Sequence, residues 1–370
     1  MKVSMTRDQL LKPLQQVAGV VEKRQTLQVL SNVLMVVDKG QLALTGTDLE
    51  VELVAKQELA GDYADGRITL PCRKLVDICR ALPATADVEL SLDGQRMVLR
   101  SGKSRFTLST LPANDFPNLE ETLAGAFSLK LQQKVLKRLI DKTSFAMAQQ
   151  DVRYYLNGML FELSAGCLRV VATDGHRLAM CDASVDAQLN EKMQIIVPRK
   201  GIQELSRLLS DEDGEVTLTL GSNHLRVTVG SLTFTSKLID GRFPDYERVL
   251  PKGGDRTLVA GREELKMALQ RAAILCNEKF RGVRLHLSEQ HLKIVATNPD
   301  QEEAEEQLQV EFSGTTLEIG FNVGYVLDVL TVLSGAYTRV ILSDGNSSAL
   351  VRDNDDEQAD ALYVVMPMRL

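Results

Sequence analysis

The chain has no apolar stretch long enough to span a membrane and no C-x-x-C pair, and its four histidines show no ligand-like spacing. The first absence, with an N-terminus (Met1 to Arg7) that lacks the apolar core of a signal peptide, predicts a soluble cytoplasmic protein. Five cysteines (Cys72, Cys79, Cys167, Cys181 and Cys276) form an odd, unpaired set, which argues for a reducing compartment and against a disulfide framework or a zinc site. Helix-turn-helix, zinc-finger and aromatic RNA-binding patterns are also missing, so readout of base sequence is not expected. A net charge of −7 taken alone argues against a nucleic-acid partner, but it says nothing of how the charge is distributed.

What the chain does have is repetition. Val29 to Val36, a turn at Gly40 and Leu42 to Asp48 are echoed by Tyr155 to Glu162, Gly166 and Leu168 to Asp174. Both are echoed again by Phe280 to Leu287 and Leu292 to Asn298. A period of about a third of the 370 residues means three copies of a whole domain rather than a solenoid of small units. A second echo, Arg105-Phe106-Thr107 with Phe116-Pro117 against Thr233-Phe234-Thr235 with Phe243-Pro244, closes the first two copies. Apolar periodicity predicts helices over residues 7–20, 71–82, 132–147, 198–209, 263–276 and 322–333, with amphipathic strands between them. Linkers rich in turn formers or charge at 120–125 and 251–255 give domains of 1–125, 126–254 and 255–370.

The charge is segregated. Lys134, Lys137, Arg138 and Lys142 lie opposite an apolar face of Leu136, Leu139 and Ile140, relieved only by Asp141. Arg73 and Arg80, then Arg199, Lys200 and Arg207, repeat the pattern, while acidic runs fall at 300–306 and 353–357. Basic helices sharing one wall would give an acidic chain a surface suited to phosphates. Catalytic motifs fail on inspection. Ser101-Gly102-Lys103-Ser104 lacks the upstream glycine of a phosphate loop, with Met97 in its place. Asp174 and His176 stand close in Thr173-Asp174-Gly175-His176-Arg177, which leaves a hydrolase as an alternative to a binding platform, but no nucleophile elbow or zinc motif accompanies them. A scaffold that binds peptides and no DNA is a further alternative.

With these repeats and basic helices, Thr173 to Leu178, Arg242-Phe243-Pro244-Asp245-Tyr246 and the terminal Val364 to Leu370, the whole chain closely resembles the bacterial DNA polymerase III β subunit family, the sliding clamps. The resemblance implies an α+β fold of three tandem clamp domains, each of two βαβββ-like half-units, with helices lining a ring and sheets outside. It implies a head-to-tail homodimer around duplex DNA, without sequence specificity, that is placed there by an ATP-driven clamp loader. The ring would tether polymerases and other proteins through a short motif of the Gln-Leu-x-Leu-Phe kind, with no catalysis, metal or cofactor. Matching residues give a peptide pocket of Leu156, Thr173, Gly175, His176, Arg177, Leu178, Pro244, Arg248, Val249, Ser348, Val364, Val365, Met366, Pro367, Met368, Arg369 and Leu370. They give DNA contacts at Arg24, Arg73, Gln150, Tyr154, Tyr155 and Lys237. The dimer interface would join Lys74, Lys103, Arg105, Phe106 and Leu108 to Ile274, Leu275, Glu302, Glu303, Glu305 and Glu306.

Overall fold

The architecture is that of a computed structural model, which describes residues 1–21, 27–117, 126–189, 191–354 and 360–369. Arg24, Leu370, the linker at 120–125 and residues 355–357 of the second acidic run lie outside the described residues.

The first repeat runs β1 (Lys2–Thr6), α1 (Arg7–Val17), β2 (Asn32–Asp38), β3 (Gln41–Thr47), β4 (Val51–Glu58), β5 (Tyr63–Ala64), β6 (Gly66–Pro71), α2 (Cys72–Ala81), β7 (Asp87–Asp93), β8 (Arg96–Ser101) and β9 (Ser104–Ser109). The second runs β10 (Phe127–Gln132), α3 (Gln133–Thr143), β11 (Gly158–Ser164), β12 (Cys167–Thr173), β13 (Arg177–Ser184), β14 (Met193–Pro198), α4 (Arg199–Leu208), β15 (Glu215–Leu220), β16 (His224–Val229) and β17 (Leu232–Lys237). The third runs β18 (Arg256–Gly261), α5 (Arg262–Ala272), β19 (Gly282–Ser288), β20 (His291–Thr297), β21 (Glu303–Gln309), β22 (Glu311–Ser313), β23 (Leu317–Asn322), α6 (Val323–Val332), β24 (Tyr337–Leu342), β25 (Ala349–Asp353) and β26 (Ala361–Val365).

All six expected helices form, each shorter than its apolar periodicity suggests. α1 starts where Thr6 and Gln9 cap each other, the Thr6 hydroxyl accepting from Gln9 N–H and Gln9 Oε1 accepting from Thr6 N–H at 2.9 Å. Asn322 caps α6 by accepting from the N–H groups of Gly324 and Tyr325. After α3 and α5 the chain tightens into 3₁₀ turns at Ser144–Ala146 and Ala273–Leu275, which prolong the apolar pattern without α-type bonds.

The chain divides into two compact units, Met1–Lys137 with Lys200–Leu238 and Arg138–Arg199 with Ile239–Leu370. The first unit holds a five-stranded sheet, β5-β1-β7-β8-β9, and an eight-stranded sheet, β10-β15-β16-β17-β4-β3-β2-β6. Leu10, Leu14 and Val17 of α1 and Leu75 and Cys79 of α2 are fully buried in its core. Gly46 of β3 is where α1 ends against the sheet: a Cβ there would stand 2.7 Å from the Val17 carbonyl oxygen. The second unit holds a nine-stranded sheet, β14-β11-β12-β13-β26-β25-β24-β18-β22, and a four-stranded sheet, β21-β20-β19-β23. Leu265 and Leu269 of α5 and Leu330 of α6 meet Leu258, Leu285, Phe321, Val351 and Val365 in its apolar interior. In each unit the largest sheet joins strands of different repeats, through the antiparallel pairs β17 with β4 and β13 with β26. β26 therefore lies inside its sheet, between β13 and β25, and is not an edge strand.

Burial pushes the Cys72, Cys79 and Cys181 thiols up to about 11, so these cysteines behave as small apolar core residues. The buried carboxyl of Glu162 on β11 takes hydrogen bonds from Tyr246 Oη at 2.8 Å and Gln194 Nε2 at 2.6 Å, and an ion pair from Lys192 at 2.8 Å. Burial alone would raise its pKa, but these three partners outweigh it and hold the group below the ordinary carboxylate range. A lowered folded-state pKa stabilises the fold above that range, and the contribution is lost as pH falls through the lowered value. Glu162→Gln should cost about 2 kcal/mol at neutral pH. It should also flatten the loss of stability below about pH 4, measured by urea unfolding across pH.

Candidate functional site

The Thr-Asp pairs that mark the repeats are turn-forming devices. In the first copy Thr47 Oγ1 donates to the Val51 carbonyl at 2.9 Å, and Asp48 Oδ1 accepts from the N–H groups of Glu50 and Val51. In the second, Thr173 Oγ1 donates to the Arg177 carbonyl at 2.6 Å, and Asp174 Oδ1 accepts from His176 and Arg177 N–H. The third copy uses Asn298 Oδ1 on Glu302 N–H. Asp174 is thus committed to the backbone and to Arg177 Nε, at 3.2 Å, and the His176 ring stacks on Tyr325 at 6.2 Å. An Asp/His couple for hydrolysis is not what this turn provides.

Arg177 is the hub of the surface around this turn. Its guanidinium donates to the Phe145 carbonyl at 2.9 Å, pairs with Asp174 and Asp328, and lies over the rings of Phe145 and Tyr325 at 5.2 and 4.6 Å. With its side chain 11% exposed it acts as a structural clamp among these groups. Tyr325 and Asp328 of α6 were not visible in the sequence as members of this site, since nothing in the local pattern ties them to residue 177.

Several of the expected pocket residues converge in the second unit. Leu178 and Val364 face each other across the β13–β26 pair, and Leu350 lies opposite Val364 on β25. They join a core of Leu160, Val171, Met180, Ile196, Phe243 and Tyr246, against which Tyr155 packs. Leu156, Leu178, Val364 and Val365 are buried, while Gly175, His176, Pro244, Arg248, Val249 and Met366 are exposed and Thr173, Ser348, Pro367 and Met368 half-buried. Beyond β26 the tail is pinned by Met366 N–H to the His176 carbonyl at 2.9 Å and Met368 N–H to the Gly320 carbonyl at 2.8 Å. Val249 and Met366, 55% and 47% exposed, present apolar surface beside this floor. Arg248 is paired with Asp245 at 2.7 Å yet 84% exposed. Met368 and Arg369 turn instead toward a separate cavity with Phe280 and Arg284.

The expected DNA contacts divide by environment. Arg73 of α2 is exposed beside a cavity of about 370 Å³ in the first unit, and Lys237 is exposed at the end of β17. In the second unit Gln150 takes a positive φ of 55°, Tyr154 is 56% exposed, and Tyr155 is half-buried in the core just described. The basic face of α3 is less bare than its sequence implies. Lys134 pairs with Asp213 at 2.7 Å, Lys137 with Asp211 at 3.6 Å and Arg138 with Asp360 at 2.9 Å. Lys142 reaches the Val332 carbonyl and Ser334, and burial lowers its pKa below the usual lysine range.

The expected interface residues mark two sheet edges. β9 ends the five-stranded sheet, with Lys103 and Arg105 exposed, Phe106 half-buried and Leu108 turned into its own core. Lys74 is exposed on α2. β21 ends the four-stranded sheet, with Glu302, Glu303 and Glu305 exposed, and Ile274, on the 3₁₀ turn that packs beside β21, is 77% exposed. Three of the expected interface acids are already engaged, Glu306 by Arg271 at 2.6 Å, Glu305 by Lys293 at 2.6 Å and Glu302 by Asn298 Nδ2 at 2.6 Å. Among the described residues no cluster of His, Cys, Asp and Glu could hold a metal ion, and no helix is long and apolar enough to cross a membrane.

Family models of the DNA polymerase III beta subunit match along the chain: the N-terminal domain over residues 1–120, the central domain over 130–245 and the C-terminal domain over 247–369. The beta sliding clamp of Pseudomonas aeruginosa is 60% identical over 372 residues, and that of Escherichia coli 55% over 370, with all of both chains covered in each case. A crystal structure of the Pseudomonas aeruginosa DNA polymerase III subunit beta matches at a TM-score of 0.98 and 59% identity, again with both chains covered completely. A second structure from that organism, described as a sliding clamp bound to griselimycin, matches at a TM-score of 0.97 and 59% identity over the full length of both chains.

Because Arg177 ties four groups together from a largely buried position, Arg177→Lys should destabilise the fold by about 3 kcal/mol despite keeping the charge, as chemical denaturation would measure. Loss of binding without loss of stability would mean that the guanidinium acts on a ligand instead.

Proposed function

This chain belongs to the DNA polymerase III beta subunit family, and we propose that it works as a ring of two copies, joined head to tail, that encircles duplex DNA and tethers its partners. It is the sliding clamp of a replicative polymerase, a non-catalytic processivity subunit. Its three domains, taken as 1–125, 126–254 and 255–370, would make six around the DNA.

The observation that carries the ring is one of strand edges. β4 and β13, the third strands of the leading hairpins in repeats one and two, are paired with β17 and β26. Their counterpart in the third repeat is β21, and the counterpart of β17 and β26 in the first repeat is β9; both are sheet edges. A second copy can supply each with the partner that the other junctions already have. Transferring the register of Phe234 opposite Leu53 sets Phe106 opposite Ala304 and Arg105 opposite Glu305. The basic edge then meets the acidic one.

Contacts to DNA would come from Arg24, Arg73, Gln150, Tyr154, Tyr155 and Lys237. Such contacts to phosphates and stacked rings carry no sequence information and permit sliding. The polymerase, the clamp loader and other proteins would seat a short apolar motif over Leu178, Val364, Val249 and Met366. The adaptable methionine and the buried floor suit a leucine or phenylalanine of the partner.

In sedimentation velocity, Arg105→Glu should weaken self-association at least about tenfold by placing like charges across the edge. An unchanged dimer would remove the ring geometry. Deleting Met366 to Leu370 should abolish binding of a Gln-Leu-x-Leu-Phe peptide while the dimer persists; retained binding would sink the pocket assignment.

A further inference from the structure

The outer face of the leading hairpin is covered in two repeats and open in the third. Strand starts at Asn32, Gly158 and Gly282, and at Gln41, Cys167 and His291, bring the three hairpins into correspondence. A backbone bond confirms the correspondence: the N–H groups of Leu111, Ile239 and Met368 donate to the carbonyls of Thr69, Ile196 and Gly320 at 3.3, 2.9 and 2.8 Å. In the first repeat the chain after Leu111 brings Phe116 onto Leu30, with Leu34 beside them. In the second, the chain after Ile239 brings Phe243 and Tyr246 onto Leu160, Val171 and Ile196.

In the third repeat the positions of Leu160 and Val171 are held by Arg284 and Val295, and that of Leu156 by Phe280. Where the other repeats have an aromatic plug, this one has a cavity of about 540 Å³, lined by Phe280, Arg284, His286, Val295, Met368 and Arg369 among others. The Phe280 ring is 55% exposed. Its lining carries both signs: Arg284 and Arg369 stand in the wall with Glu303, Arg284 pairs with Glu318 at 3.1 Å, the His286 ring lies 3.4 Å from the same carboxylate, and Lys279 stands over the Phe280 ring. Both internal plugs pair an aromatic ring with proline and acid, as Asp115-Phe116-Pro117 and Phe243-Pro244-Asp245.

We propose that this cavity is a docking site for a partner polypeptide that inserts an aromatic side chain flanked by proline and a carboxylate. The third repeat takes from outside the plug that the first two carry themselves. The ring would pack on Val295, Phe280 and Met368, and the carboxylate would face the Arg284 and Arg369 side. The site is distinct from the floor formed by Leu178 and Val364, although the tail borders both.

The probe is a fluorescein-labelled peptide of this chain's own plug, Phe243 to Glu247, titrated against the full-length protein by anisotropy. Saturable binding is expected, about tenfold or more weaker for Val295→Trp, which fills the cavity, for Phe280→Ala, and for a probe with alanine at its first position. Each variant should still bind a Gln-Leu-x-Leu-Phe peptide, which shows that it is folded. Absence of binding, indifference to both variants, or displacement of the probe by the Gln-Leu-x-Leu-Phe peptide would overturn the proposal. A chain lacking Leu370 should bind the probe equally; binding only by that shortened chain would make its own last residue the occupant and would also overturn it.

Discussion

The structure depends on backbone pairing between strands that belong to different repeats. A strand edge presents unpaired N–H and C=O groups that must be matched, covered or guarded. β4 is matched by β17 and β13 by β26, so each of the two largest sheets is completed by strands of two repeats. The same requirement leaves β9 and β21 as edges and makes the proposed second copy a matter of satisfying existing donors and acceptors. Charge selects among possible pairings more than it holds them, because exposed ion pairs contribute little each.

The turn that follows the second strand of each hairpin anchors the next layer. In the first unit Asp48 is gripped by Lys200 of α4 at 2.6 Å; in the second, Arg177 beside Asp174 is gripped by Asp328 of α6. The helix supplies the cation in one case and the carboxylate in the other, so the design is conserved between repeats while the polarity is reversed. The result beside β26 is a floor whose backbone and side chains are fixed before any partner arrives. A preorganised surface spends little binding energy on ordering itself.

The repeats, the six helices and the alternating strands were legible because periodicity is a local property. Helix ends were less so: Ser144–Ala146 and Ala273–Leu275 keep the apolar rhythm while leaving the α-helix. The basic face of α3 could be read, but not that Asp211, Asp213 and Asp360 would meet it, since those acids are far away in sequence. On β9 the alternation marks two faces without saying that Leu108 is the one kept inside. The site residues came from resemblance to a family rather than from spacing, and resemblance did not reveal that Arg177 is tied down by Asp328 and two aromatic rings.

The split of the second repeat between the two units bears on how the chain could be dissected. A cut at either linker would part β17 from β4 or β13 from β26, so an excised repeat would bare a strand edge that the whole chain keeps matched. Cooperative units here therefore do not coincide with the sequence repeats, and an isolated repeat is expected to be less stable than its own core would suggest.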